Sequence, residues 1–325
     1  MSFDGSTTSE EVIKHFTPQI ASKTFVIIGA GYPSIGSQIA TYLSSSSSSS
    51  SSPPGKIIIA SRTASKVDPV LATISNNNPR IKTSFIQVDV TDHESVRSAA
   101  PEILQEVGPG QRIDVLIYAA GAMALKDYTV DKQGIEYQLS ANHVGCFLLT
   151  NLLAPNFERF VVLTSSGYRL TPFRFDDYNF SDGKEYDPWL AYGQAKTANI
   201  LFAYGLGKKL RGRGRGVECV AVHPGYNGDT KLGEHLTWDD YGKIDGVMER
   251  SRGIKWEWEE PRFKTFSQIA ATPLIAALDP ALVGKTPAFM QNSRVHEADG
   301  HATDPEAAEK LWKLSEELVG QKFEY

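Results

Sequence analysis

Short, mainly apolar runs alternate along the chain with stretches whose apolar residues return every three or four positions. The first run is Thr24–Ile28, and others follow at 56–60, 83–90, 113–118, 159–163 and 217–222. A strand covered on both faces needs continuous rather than alternating hydrophobicity, so each run predicts a strand inside a parallel sheet. Helical spacing fills the gaps: from Ile35 to Leu43, through Val96, Ala99, Ala100, Ile103, Leu104 and Val107, from about 132 to 153, and in a stretch ending near Leu210. Six strands alternating with helices predict an α/β fold, a doubly wound parallel sheet in one domain spanning 1–325 with its core over about 23–290.

Signals at the ends of these stretches refine the picture. Thr8-Ser9-Glu10-Glu11 and Thr91-Asp92-His93-Glu94 both read as capping boxes, the first opening a helix through Phe16. Asp187 followed by Pro188 reads as an N-cap and first helical residue. Asp304-Pro305 starts a last amphipathic helix, about 304–320, which Gly320 stops. Two segments interrupt the alternation. One is an aromatic insert with Phe173, Phe175, Tyr178, Phe180, Tyr186 and Trp189. The other, about 232–262, carries Trp238, Trp256 and Trp258 and reads as a helical substrate lid, because a connection this long is usually functional. Its tryptophans suit a core as well as a substrate contact. The nine serines at 44–52 cannot pack and read as a surface loop between helix and strand.

Composition narrows the function classes. A 325-residue chain with 41% hydrophobic and 22% charged residues is that of a soluble globular protein. A formal charge of -5 gives no reason to expect nucleic acid or an anionic membrane, and the Arg211-Gly212-Arg213-Gly214-Arg215-Gly216 tract reads as a solvated turn. No apolar run is long enough to cross a membrane. Cys146 and Cys219 cannot form a disulfide framework and have no metal-ligand spacing. They fit a reducing, cytoplasmic setting.

Three places carry candidate chemistry. Gly29-Ala30-Gly31-Tyr32-Pro33-Ser34-Ile35-Gly36 follows the first strand and opens a helix. In that context a helix N-terminus receives a cofactor pyrophosphate, although Ser34 stands where the third glycine of G-x-G-x-x-G belongs. At the end of the second run there is no acid to meet a ribose 2′-hydroxyl; Arg62 stands there with Lys66 nearby, which favours the 2′-phosphate of NADP. Finally, Tyr192 and Lys196 are one helical turn apart. A neighbouring ammonium lowers a phenol's pKa, so such a pair can pass a proton to or from a substrate oxygen. The spacing alone is weak evidence, since Tyr128 with Lys132 and Tyr204 with Lys208 share it.

The ordered set of pieces is more specific. The chain resembles the short-chain dehydrogenase/reductase family from Lys23 to about Arg294: the turn Gly29–Gly36, Ser61-Arg62, Asp89-Val90, Ala119-Ala120-Gly121, Asn142, Ser165, Tyr192-x-x-x-Lys196, and Pro224-Gly225 with Thr230. Within the family it is most similar to the retinol-dehydrogenase-like and WW-domain-oxidoreductase-like branch, especially fungal members with the run from Leu190 to Asn199 and a Leu311-Trp312-Lys313-Leu314-Ser315 helix. The resemblance implies a Rossmann-like fold and an NADP(H)-dependent enzyme interconverting carbonyl and alcohol on a hydrophobic small molecule. It implies Tyr192 as acid/base, Lys196 depressing its pKa and holding the nicotinamide ribose, Ser165 bonding the same substrate oxygen, and Asn142 holding a water that links Lys196 to solvent. It further implies cofactor contacts at Gly29, Gly31, Ser34, Ile35, Gly36, Arg62, Lys66, Asp89, Val90, Ala119, Ala120, Gly121, Pro224, Gly225 and Thr230, and a possible homodimer through the helices bearing Asn142 and Tyr192. Four positions depart from the family pattern: Ile28 for a threonine, Tyr118 and Ala119 for two asparagines, and Val162 for another. The alternatives are a nucleotide-binding protein without turnover that engages a protein partner, and a dehydrogenase preferring NAD.

Overall fold

The computed structural model describes residues 2–45, 53–212, 214 and 216–325. Its centre is an eight-stranded sheet: β1 Thr24–Ile28, β2 Lys56–Ser61, β3 Lys82–Gln87, β4 Ile113–Tyr118, β5 Phe157–Leu163, β6 Glu218–Val222, β7 Ala288–Gln291 and β8 Arg294–His296. Their spatial order is β3-β2-β1-β4-β5-β6-β7-β8, and every pairing is parallel except β7 with β8. The order reverses between β1 and β4, which opens a crevice above their C-terminal ends. The six expected strands are all present. β7 and β8 were not anticipated, because β7 is only four residues long and β8 is exposed along its three.

Helices cover both faces: α1 Ser9–Ile20, α2 Ile35–Ser44, α3 Ala64–Asn77, α4 His93–Val107, α5 over 137–153, α6 Pro188–Gly212, α7 Trp238–Gly242, α8 Ile244–Arg252, α9 Phe266–Leu278 and, after one further short turn, α10 Pro305–Val319. Successive strand residues face opposite ways. Val26 and Ile28 therefore join the core under α4, α5, α6 and α10, while Phe25 and Ile27 join the one under α1, α2, α3 and α9. A third, smaller cluster gathers Leu170, Trp189, Tyr192, Ile244, Val247, Met248 and Trp256. It attaches segment 232–262 to the start of α6.

Local chemistry explains most element ends. The Thr8–Glu11 capping box forms, and a kink at Phe16 separates the expected helix from the extra turn to Ile20. At α4 the cap is Asp92 rather than Thr91, since Thr91 donates to Asp89 Oδ1 at 2.7 Å. α5 starts five residues later than the apolar spacing suggests. The buried Glu136 carboxylate accepts from the Gln138 and Leu139 amides, and Asp131 ties 133–135 into a turn. β3 ends at Gln87, so Asp89 and Val90 lie in the loop beyond it. Of the serine run, Ser44 closes α2 and 46–52 lie outside the described residues, as do Arg213 and Arg215 of the basic tract. Among the described residues no helix is long and apolar enough to cross a membrane.

Candidate active site

Two adjoining cavities lie at the C-terminal ends of the strands. The first, of about 440 Å³, is lined by Gly29, Gly31, Ser34, Ile35, Arg62, Lys66, Asp89, Val90, Ala119, Ala120, Gly121 and Thr230. The second, of about 520 Å³, is lined by Ser165, Tyr192, Lys196, Pro224 and Gly225. Ile35, Ala119, Ala120, Gly121 and Thr230 border both, so the cavities meet above β4. Of the residues expected at the site, Gly36 and Asn142 line neither cavity.

Gly36 instead permits the turn. A methyl group there would come within 2.5 Å of the Gly29 carbonyl oxygen, and Gly29 itself has φ +86°. Ser34 earns its place as the helix cap: its Oγ accepts from the Ser37 amide at 3.1 Å while its own amide donates to Ser37 Oγ at 3.0 Å. The first-turn N–H groups at Ile35 and Gly36 lie outside the intrahelical ladder, as an anion site needs. Arg62 is exposed at the cavity rim and donates to the Tyr137 hydroxyl at 3.1 Å. Glycine turn and cavity together fit a dinucleotide.

Asn142 belongs to a π-helical turn, Ser140–Val144, inside α5. Its Nδ2 donates to the carbonyls of Gln138 at 2.7 Å and Ala122 at 2.9 Å. Its Oδ1 is buried with no partner, and only the lack of a side chain at Gly121 makes room for it. Lys196 Nζ lies on the same side of Gly121. The departure at Tyr118 has a structural role here, because its hydroxyl donates to the Ala141 carbonyl at 3.0 Å within the distorted turn. Ile28 and Val162 are simply core. His143 is packed against Ser315, and burial lowers its pKa to about 3, so it is a neutral packing residue.

α6 is capped as expected: Asp187 Oδ1 accepts from the amides of Trp189 at 2.9 Å and Leu190 at 3.1 Å. Its later turns are fastened to the end of β5. Lys196 Nζ donates to the Leu163 carbonyl at 3.2 Å, Asn199 Nδ2 to the same carbonyl at 3.0 Å, and Thr164 Oγ1 to the Lys196 carbonyl at 2.8 Å. Ser165 follows directly, accepts from the Gly167 amide at 3.1 Å, and neighbours the Tyr192 phenol, whose pKa its hydroxyl lowers. Tyr192 is 4% exposed and Lys196 5%. The Lys196 ammonium lies 5.5 Å from the Tyr192 ring centroid.

The electrostatics differ from the expectation that lysine draws the phenol down. Burial dominates both groups: it pushes Tyr192 well above the ordinary tyrosine range, opposed by the nearby Ser165 hydroxyl, and lowers Lys196 to about 7. In a closed, low-dielectric site each group favours its neutral form.

Sequence patterns missed several lining residues. Tyr137, Leu232 and His235 border the first cavity, and Tyr226, Tyr241, Trp189, Trp256 and Trp258 the second. Tyr226 hydrogen-bonds Ser166. The tryptophans were visible in the sequence, but nothing in their spacing distinguishes a cavity wall from a core.

The profile of the short chain dehydrogenase family matches residues 23–173. Mouse (Mus musculus) retinol dehydrogenase 12 is 30% identical over 311 residues, covering 94% of this chain and 89% of the relative. The chain belongs to the short-chain dehydrogenase/reductase family. Within it, this oxidoreductase sits in the retinol-dehydrogenase-like branch. A crystal structure of an uncharacterised Mycobacterium paratuberculosis protein is similar to this short-chain dehydrogenase/reductase with a TM-score of 0.67 and 27% identity, covering 94% of this chain and 96% of that one. The NADPH-bound carbonyl reductase of chicken fatty liver shares the fold, with a TM-score of 0.56 at 18% identity over 86% of this chain and 95% of that one.

Proposed function

We propose that this chain is an NADP(H)-dependent oxidoreductase that interconverts a carbonyl and an alcohol on a hydrophobic small molecule, with Tyr192 as the acid/base. The observation that carries this reading is that the neighbouring Ser165 and Tyr192 hydroxyls line the second cavity, which adjoins the first. A substrate oxygen lodged there is within reach of both hydroxyls. Tyr192, kept neutral by burial, donates its proton as the oxygen gains charge, and Ser165 stabilises that charge. The dinucleotide, when bound, supplies the hydride. Lys196 and the unpartnered Asn142 oxygen form the route by which the phenol's proton is restored, through a water held between them. Gly29, Gly31, Ser34, Ile35, Asp89, Val90 and Ala119–Gly121 would hold the dinucleotide, with Pro224, Gly225 and Thr230 at its nicotinamide end. Segment 232–262 serves as the lid.

Arg62 and Lys66 support NADP over NAD, and the chicken carbonyl reductase with this fold binds NADPH. Both cysteines are free and buried, which suits a cytoplasmic setting. The test is NADPH oxidation with a carbonyl panel. Tyr192→Phe is expected to lower turnover about 1000-fold while nucleotide affinity is kept. Arg62→Ala is expected to weaken NADPH about tenfold and leave NADH unchanged. Unaltered turnover in the first variant would remove the acid/base role, and equal effects on both cofactors in the second would remove the NADP assignment.

A further inference from the structure

The second cavity has an unusual wall. Four of the chain's five tryptophans, Trp189, Trp238, Trp256 and Trp258, line it, and Trp312 alone lies elsewhere. Their rings are linked edge to face: Trp189 with Tyr192 at 6.3 Å between centroids, Trp256 with Trp258 at 5.9 Å, and Trp258 with Tyr226 at 5.3 Å. Two guanidinium groups support this wall. Arg169 lies 5.1 Å from the Trp256 ring and Arg262 4.3 Å from the Trp258 ring. Such stacking fixes ring planes and leaves flat faces for a ligand.

The lining is also uncharged apart from Lys196 and the histidine at the end of β6. No aspartate, glutamate or arginine is among the lining residues, and the His223 Nε2 is already engaged by Glu259 Oε1 at 2.7 Å. A cationic substrate would find no countercharge there, and the one ammonium is already held by the Leu163 carbonyl beside the Tyr192 ring. Two buried atoms of the described lining have no partner: His223 Nδ1, which is an acceptor when Nε2 donates to Glu259, and one obligate donor. Trp256 is 6% exposed, and its Nε1 is buried without a hydrogen-bond partner. An indole N–H left this way is unfavourable until an acceptor meets it.

We infer that the substrate is a neutral, flat, aromatic ketone of two or more rings bearing a second oxygen, which accepts a hydrogen bond from Trp256 Nε1 while the reacting carbonyl faces Ser165 and Tyr192. This rests on the carbonyl–alcohol reading above and specifies its substrate class. Aromatic faces favour conjugated rings over a flexible chain, which would also lose more rotamer freedom on binding. The second oxygen fixes which carbonyl is presented, so Trp256 is a specificity-determining residue rather than a catalytic one.

Three ketones test it: 2-acetylnaphthalene, 2,6-diacetylnaphthalene and 2-dodecanone. Turnover is followed with NADPH, and binding to the NADPH-loaded protein is followed by calorimetry. Both aromatic ketones are expected to exceed 2-dodecanone at least tenfold in kcat/KM and in affinity, with the diketone ahead of the monoketone. Trp256→Phe, which keeps a ring under Arg169, should reduce the diketone-to-monoketone ratio of kcat/KM about tenfold through KM, and Trp256→His, which restores a ring N–H, should recover part of it. Equal use of 2-dodecanone, or a ratio unmoved by Trp256→Phe, overturns the inference while leaving the enzyme reading intact. Selective aromatic binding with no turnover of any ketone does the reverse: it supports the pocket assignment and removes the carbonyl chemistry.

Discussion

Tyr192 and Lys196 are a costly pair to bury, and their titration gives the most direct checks on the site. Burial raises the Tyr192 pKa, so the phenol stays protonated across the physiological range. Carbonyl reduction, which needs the proton present, should therefore vary little between pH 6 and 8. Alcohol oxidation, which needs it absent, should rise steadily with pH, and rate profiles in the two directions will show whether they diverge this way. Lys196 acts on stability. In the fold it loses its proton near pH 7, against about 10.4 in an unfolded chain. Between those values the unfolded state holds more protons, so this residue makes stability climb with pH, and below pH 7 its burial penalty is complete. Lys196→Met should consequently stabilise the protein by about 2 kcal/mol at pH 6 and by much less at pH 9, while turnover is lost. Denaturant titrations giving the same gain at both pH values would contradict this account.

Among the elements, α5 shows how a fold can be legible while its functional distortion is not. The helix approaches the loop after β3 so closely that a methyl group at Gly145 would strike the Val90 carbonyl. Gly145→Ala is therefore expected to cost about 2 kcal/mol and to weaken nucleotide binding, since Asp89 and Val90 border the first cavity. Gly242→Ala, with open space around it, should be neutral or slightly stabilising by the same thermal melts. The apolar period marked α2, α4, α5 and α6, because a continuous stripe must face the sheet whatever the local detail, while α3 went unread. The same holds for β1 to β6 and for the Asp187-Pro188 start of α6. The π-helical turn at Ser140–Val144 left no such trace: it is set by a hydrogen bond from Tyr118 and by the Asn142 side chain taking the Gln138 carbonyl. Chain order, with the one-turn spacing of Tyr192 and Lys196, brought Ser165, Tyr192 and Lys196 to notice, whereas Tyr226, Tyr241 and the tryptophans at 238, 256 and 258 depend on how 226–263 folds back. A residue with generic packing chemistry gains a role only from its neighbours.

At the scale of the molecule, α10 decides what the site-bearing helices can touch. Trp312 packs against Phe147 at 5.0 Å and Phe202 at 6.0 Å, Ser315 meets His143 at 2.8 Å, and Glu309 pairs with Lys209 at 2.9 Å. The outer faces of α5 and α6, through which the resemblance suggests a homodimer, are thus covered by the chain's own helix. Light scattering should find a monomer at micromolar concentration. Trp312→Ala should lose about 4 kcal/mol and expose aromatic surface, seen as self-association above that concentration. The arrangement also orders events during synthesis. Pro305–Val319 leaves the ribosome after every described strand and cavity-lining residue, so the nascent enzyme carries a bare aromatic stripe until this helix arrives. A message truncated shortly before codon 305 would encode all of the proton-handling groups and still yield a protein that chaperones retain and proteases remove.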